Sequence, residues 1–424
     1  MKNLSNQPLK GTTDWFPEEF KIRQYIFDVW KSVCLKYGYQ QYLTPLVENA
    51  DIYRAKSGKE TGGTELITVK REGDEFAIRP EMTPSVTRMI SRIYDSTPKP
   101  IRYFSIANFM RFQKPQRGRN REFWQLNLDI FGSNSIHADI EVLQIALDII
   151  LAFNPPKDSF SLLVNHRKLI DSLFDDVLNI NSRNKKDISR LMDKWEKLSK
   201  KEFIVELKKN KLNNNQVDNI IDFLQAKSLE DLLAKIPDLE KSEGYIETKH
   251  IIYELKKLGY EKWIKFQGNI IRGFDYYDGM VFEVFDNHPN NNRSLFGGGR
   301  YNGLANIFGV KSFPAVGTAP GDEAIYLFLE SWNLIKKIKT KKEIYYFPIL
   351  DQSLFIKSQK IAQKMRGEGK NIEMSLEVQK LGKALDYANK KGIDFLIIFG
   401  ELEAKKGVIK IKDMKTGKEK NIKI

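Results

Sequence analysis

Residues 101–132 constrain the chain most. They read as a strand, IRYFSIANFMRF, a polar loop, QKPQRGRNREF, and a second strand, WQLNLDIFG. The loop between the two strand-like runs is long and polar, and its Pro115 and Gly118 fit a long hairpin. In the second run Gln125, Asn127 and Asp129 alternate with Leu126, Leu128 and Ile130. A period of two sends the polar three to one face and the apolar three to the other. The polar face fits either the floor of a pocket for a small polar molecule or a half-exposed sheet. Segment 101–121 holds six cations (Arg102, Arg111, Lys114, Arg117, Arg119 and Arg121) and no acid. Such a loop is either a solvated hairpin tip or a grip for phosphates, whose oxygens match guanidinium forks two at a time.

Around this hairpin the chain alternates between helical and strand-like patterns. Residues 18–37 have helical apolar spacing, and Gly38 supplies the stop. YQQYLTPLVE is strand-like, with Pro45 marking an edge or an irregular end. LITVKREGDEFAIR at 66–79 reads as two strands around a turn, and helices are expected at 84–93 and 138–153. From about 180 to 260 glycine and proline are scarce while Lys, Asn, Leu and Glu dominate, as in an inserted helical module with solvated faces. In IIRGFDYYDGMVFE, Arg272 offers a countercharge to phosphate, and Tyr276 and Tyr277 form either a binding wall or core. GGGRYNGL at 297–304 lacks the P-loop Lys-Ser/Thr and the dinucleotide-binding spacing, so its glycines are read as allowing close backbone approach. After a lysine-rich linker at 336–342, the last 80 or so residues alternate strand and helix, which predicts a small α/β domain with a mostly parallel sheet.

Composition narrows the function classes. With 424 residues and a net charge of +14, the chain has room for two to four domains and suits either a polyanionic partner or a surface of solvated lysines. The lone Cys34 sits in a helical apolar pattern and cannot form an internal disulfide, so a reducing, cytoplasmic setting is expected. Four scattered histidines lack zinc-ligand spacing. No run approaches the ~18 apolar residues of a membrane span.

The order of GTTDWFP at 11–17, Pro45, RPEMT at 79–83, FMRFQKPQRGRNREFWQLNLDIFG at 109–132, RGFDYYDGMVFE at 272–283 and GGGRYNGL resembles the histidyl-tRNA synthetases, a family of class II aminoacyl-tRNA synthetases. LGKALDYANKKGIDFLIIFGELEAKKGVIKIKDMKTGKE resembles that family's anticodon-binding domain. The resemblance implies an α+β catalytic domain with an antiparallel sheet (1–165 and 263–335), a helical insertion (166–262), a linker (336–342) and a C-terminal α/β anticodon-binding domain (343–424). It implies a ligase that activates histidine with ATP and Mg²⁺ and transfers it to tRNA(His), as a cytoplasmic homodimer joined through the first helix and the Pro45 strand. The alternative is the non-catalytic, histidine-binding regulatory subunit of ATP phosphoribosyltransferase, which shares the catalytic fold but generally lacks the last domain.

Residue by residue, the resemblance assigns Glu81 and Thr83 to the histidine ammonium group, with Gln125 beside them. It assigns Asp129 to the imidazole, where the family usually has Glu, and Tyr276 and Tyr277 to the pocket wall. Arg111 would bind the α-phosphate and the substrate carboxylate, Arg119 the outer phosphates and Phe123 the adenine. Arg272 would be the catalytic arginine, stabilising charge at the α-phosphate. Gln116, Arg117 and Arg121 are candidates for the tRNA acceptor end. Ala324 stands where the family's third motif usually has an arginine for the ATP tail, and Arg300 is the expected substitute. No metal ligand is assigned.

Overall fold

Pro17 at the first helical position, Glu18 and Glu19 in the first turn and Lys36 in the last bound helix α1 (Pro17–Lys36), and Gly38 follows it with φ +76°. The strand-like run after it splits into β1 (Gln40–Gln41) and β2 (Val47–Asn49), because Pro45 between them has no N–H to donate. Helix α2 (Asp51–Arg54) leads to the hairpin of β3 (Thr68–Arg71) and β4 (Asp74–Ile78), which with β2 makes a three-stranded sheet in the order β2-β4-β3. The computed structural model describes residues 4–55, 57–58, 60–271, 276–291, 293–338 and 343–424. They form two units, Met1–Ile338 and Lys339–Ile424.

Helix α3 (Thr83–Ser91) precedes the long hairpin, whose strands β5 (Ile101–Met110) and β6 (Glu122–Phe131) pair antiparallel from Ile101–Phe131 to Met110–Glu122. Helix α4 (Ile136–Leu151), capped by Ser135, and β7 (Phe160–His166) follow. Then come the insertion helices α5 (Arg167–Ser172), α6 (Ser182–Met192), α7 (Lys200–Lys209), α8 (Asn214–Gln225), α9 (Leu229–Lys235) and α10 (Glu243–Leu255). Side chains of Ser199, Asn213, Ser228 and Ser242 accept backbone N–H groups at the starts of α7 to α10, which is how a Lys-rich, Gly-poor stretch is cut into separate helices. The first unit closes with β8 (Ile264–Phe266), β9 (Met280–Asp286), β10 (Arg293–Arg300), β11 (Ala315–Thr318) and α11 (Asp322–Ser331).

The large sheet runs β1-β5-β6-β11-β10-β9-β7-β8, antiparallel except at its two edges, β1 with β5 and β7 with β8. Leu126, Leu128 and Ile130 are buried in one cluster with Ile26 and Trp30 of α1 and Leu143 of α4, so the apolar face of β6 turns to the helices. That cluster continues into the insertion through Phe203, Ile220 and Phe223. A Cβ at Gly298 would stand 2.1 Å from the Gly317 carbonyl oxygen, which bears out the reading of the triple glycine as a site of close backbone approach.

The second unit contains β12 (Ile344–Ile349), α12 (Phe355–Gly367), β13 (Asn371–Val378), α13 (Leu381–Lys391), β14 (Phe395–Ile398), α14 (Glu401–Lys406), β15 (Val408–Asp413) and β16 (Glu419–Lys423). Its sheet, β13-β12-β14-β15-β16, is parallel across the first three strands and antiparallel across the last two. The mostly parallel sheet expected from sequence is therefore corrected to a mixed one. Strand β16 escaped notice because EKNIK is exposed throughout and has no apolar alternation. Lysines along such an edge oppose further strand pairing.

Candidate active site

The polar face of β6 forms part of the lining of a cavity of about 400 Å³ in the first unit, with Gln125, Asn127 and Asp129 all contributing. Gln125 Nε2 donates to the Ala319 carbonyl at 3.1 Å, which orients its amide. Asp129 is buried, and the Tyr301 hydroxyl donates to its Oδ1 at 2.5 Å. Burial pushes the Asp129 carboxyl up to about 7, and the Tyr301 hydrogen bond offsets only part of that. Asn127 is also buried, and its carboxamide oxygen has no hydrogen-bond partner among the described residues.

The wall is fixed by Arg79. Its guanidinium donates to the carbonyls of Thr44 (2.8 Å) and Asn108 (2.9 Å) and lies over the Phe109 ring at 5.2 Å. This clamp ties the end of β4 to β5 and so sets the direction in which Pro80 and Glu81 leave the strand. Glu81 is buried, and its Oε2 accepts the Tyr276 hydroxyl at 3.1 Å. Burial raises its pKa, against the lowering effects of Ser57, Arg111, Tyr276 and Thr83. Thr83 opens α3 beside it, and the rings of Tyr276 and Tyr277 are 4.8 Å apart. Glu81, Thr83, Tyr276 and Tyr277 line the same cavity as Asp129.

Two arginines complete the lining. Arg111 donates from Nε to the Pro80 carbonyl at 2.9 Å, and its guanidinium lies 5.1 Å from the centre of the Phe123 ring. Burial weakens its hold on the proton, while the carboxylates of Glu81 and Glu65 strengthen it. Arg119 and Phe123 line the cavity too. The loop between β5 and β6 is pinned by backbone bonds from Arg111 to Arg121 (2.8 Å) and from Arg121 to Gly11 (2.7 Å). Gln116 and Arg117 are exposed on it and do not line the cavity. Arg121 folds back, with Nε on the Gln113 carbonyl at 3.2 Å and its guanidinium 4.2 Å from the centre of the Phe112 ring.

Arg300 does not join these residues. Counting by two along β10 puts Arg300 on the face opposite Gly297, which lines the cavity. Its guanidinium is buried against Asp139 of α4 at 2.6 Å and also donates to the Ser133 and Ser135 carbonyls. Breaking a buried pair of this kind costs roughly 3–5 kcal/mol. Arg300 therefore anchors a helix to the sheet and is not the substitute for an arginine at 324. Arg272 lies outside the described residues.

Ala324 does line the cavity, in the first turn of α11 with Asp322 and Glu323. Arg23 of α1 pairs with both of those acids, at 3.0 and 2.8 Å. Sequence reasoning passed over several lining groups, among them Glu60, Glu65, Glu283 and Glu323. It also missed Arg293, which donates to the Arg117 carbonyl at 2.6 Å. None of these has a local sequence pattern that marks it, because strands and helices distant in sequence bring them together.

Two family models cover nearly the whole chain. One described as histidyl-tRNA synthetase matches residues 11–325, and one described as anticodon binding domain matches residues 339–424. Among curated relatives, the histidine–tRNA ligase of Leptospira biflexa is 39% identical over 415 residues, covering 97% of this chain and 94% of the relative. The histidine–tRNA ligase of Pyrococcus horikoshii is 35% identical over 421 residues, covering 98% and 96%. Among solved structures, the fold is similar to histidyl-tRNA synthetase from Nostoc sp. PCC 7120, with a TM-score of 0.81 at 24% identity and coverage of 99% and 97%.

Proposed function

The chain belongs to the histidyl-tRNA synthetase family, and from that premise we propose how its residues carry out the reaction. The protein is a histidine–tRNA ligase that activates histidine with ATP and passes it to tRNA(His). One observation carries the assignment of roles: nine residues from separate segments, Glu81, Thr83, Arg111, Arg119, Phe123, Gln125, Asp129, Tyr276 and Tyr277, line one cavity.

In the activation step a histidine carboxylate oxygen attacks the α-phosphorus, the P–O bond to pyrophosphate breaks and histidyl-adenylate forms. No general base is needed, so positioning and cations dominate. Glu81 and Thr83 hold the ammonium group, with Gln125 beside them. Asp129 accepts the imidazole N–H, and its hydrogen bond from Tyr301 leaves the other carboxylate oxygen for that contact. Tyr276 and Tyr277 wall the ring. Arg111 neutralises the carboxylate and the α-phosphate, Arg119 the outer phosphates, and Phe123 stacks on adenine. Arg272 is assigned the charge at the α-phosphate by resemblance. Mg²⁺ would come with the nucleotide substrate and would supply charge neutralisation on its phosphates. The described residues include no group of three or more His, Cys, Asp or Glu side chains that could cage a metal.

Gln116, Arg117 and Arg121 are assigned to the tRNA acceptor end. A homodimer is supported by the apolar groups left exposed along the first helix and the Pro45 segment and its sheet, Phe16, Phe20, Leu43, Leu46, Val47 and Phe76. A cytoplasmic setting is supported by the free, buried Cys34. Among the described residues no helix is long and apolar enough to cross a membrane. The anticodon-binding domain match at 339–424 favours the ligase over the regulatory-subunit alternative. The deciding assay is ATP–pyrophosphate exchange with each amino acid in turn, followed by tRNA charging. Exchange is expected with histidine alone, and a folded protein without it at saturating ATP would refute the assignment.

A further inference from the structure

We propose that Arg293 binds the outer phosphates of ATP and so supplies, from β10, the cation that Ala324 cannot supply from α11. This rests on the synthetase reading and adds a residue to its nucleotide site. Arg293 opens β10, and the four residues after it, Ser294, Leu295, Phe296 and Gly297, line the cavity. Its Nη1 donates to the Arg117 carbonyl at 2.6 Å, at the tip of the loop that brings Arg119 into the lining. Gly118 adopts φ +73°, and a Cβ built there would stand 2.2 Å from Arg293 Nη1 and 2.8 Å from Leu327 Cδ1. Leu327 lies three residues beyond Ala324 on α11, so the two share a helix face. The guanidinium of Arg293 thus sits at the loop tip beside Gly118, which lines the cavity, and near the α11 side chain one turn beyond Ala324, though Arg293 is not itself one of the lining residues.

Acidic side chains, Glu60, Glu65, Glu283 and Glu323, also line the cavity. Among the described residues no carboxylate pairs with Arg293. Partial burial, and after it the neighbouring charges of Arg119 and Arg117, weaken its hold on the proton. Arg117 has only a loose contact with Glu330 at 3.7 Å, on the exposed side. Arg293 and Arg119, neither of them in an ion pair among the described residues, repel each other in the empty protein. A polyphosphate tail is the ligand in this reaction whose charge density and length suit them. A glycine at 118 removes the side chain that would otherwise displace the Arg293 guanidinium.

The test uses the full chain and compares MgATP with AMP, which lacks the outer phosphates. Arg293→Ala should raise the KM for ATP in histidine-dependent pyrophosphate exchange by about 10- to 100-fold, the loss expected for a hydrogen bond to a charged group. The KM for histidine and the calorimetric affinity for AMP should stay within about two-fold of wild type, the scatter of such comparisons. Adding Ala324→Arg to Arg293→Ala should recover most of the ATP affinity, because the new side chain starts from a position that lines the cavity. Arg293→Gln serves if the alanine variant melts early. An unchanged KM for ATP, or an equal loss of AMP affinity, would overturn the proposal. So would weakened tRNA charging with normal ATP use, which would make Arg293 an RNA contact. If the wild type binds MgATP but gives no histidine-dependent exchange, the synthetase reading falls, and the ATP-versus-AMP comparison still judges Arg293.

Discussion

A carboxyl group taken out of water between strands is held at a cost, and Asp129 shows what that cost does. Its pKa moves from 3.8 to about 7 because burial disfavours the charged form, with the Tyr301 hydroxyl giving partial relief. The folded, empty protein therefore holds a proton on Asp129 between about pH 4 and pH 7, where the unfolded chain has lost it. Stability falls as pH rises through that window and stays low above it, when a buried charge faces the phenols of Tyr301 and Tyr42. Asp129→Asn removes the charge. We expect the variant to be more stable than wild type at pH 8, by on the order of 3 kcal/mol, with the gap closing toward pH 4. Denaturant melts across that range check the sign, and a gap that widened on acidification would contradict it. The same variant should lose about 10- to 100-fold in histidine affinity, since a charge-assisted contact to the imidazole becomes a neutral one.

At the scale of elements, only part of the loop between β5 and β6 lines the cavity. Arg111 and Arg119 face the cavity, while Gln116 and Arg117 stay exposed on the loop. Arg117→Ala should therefore weaken tRNA charging more than histidine activation, and equal losses in both assays would show that the acceptor assignment is wrong. How much of this could be read in advance depended on whether the signal was local. The alternation in WQLNLDI and the Gly38 stop after α1 are local, and the structure follows them. Arg300 and Arg293 were not legible in the same way. Both sit on β10, and only the strand's register and the neighbours packed on each face direct one to Asp139 and the other toward the loop. Strand β16 was missed for a related reason, because its pairing with β15 is set by the turn around Gly417 and not by an apolar pattern of its own.

Over the whole molecule the charge is uneven. Segment 101–121 contributes +6 and segment 341–424 contributes +8, and the rest of the chain balances. The second unit has its own buried clusters, one around Phe347, Ile361 and Phe399 and one around Tyr346, Ala384 and Leu396. The first unit contains the cavity and every described residue assigned to histidine or ATP. Separate cores and a separate site predict separable activities. A chain ending at residue 338 should keep histidine-dependent pyrophosphate exchange within a few-fold of the full chain. Its tRNA charging should fall by about 100-fold or more, and what remains should depend less steeply on salt, because the lysines and arginines of the second unit no longer displace counterions from the RNA. Circular dichroism and a cooperative melt establish that the shortened chain is folded before either assay is read. Loss of exchange in a folded fragment would mean that the second unit supports the active site directly. Charging at the full rate with an unaltered salt slope would mean that the +8 of residues 341–424 is ordinary solvated surface.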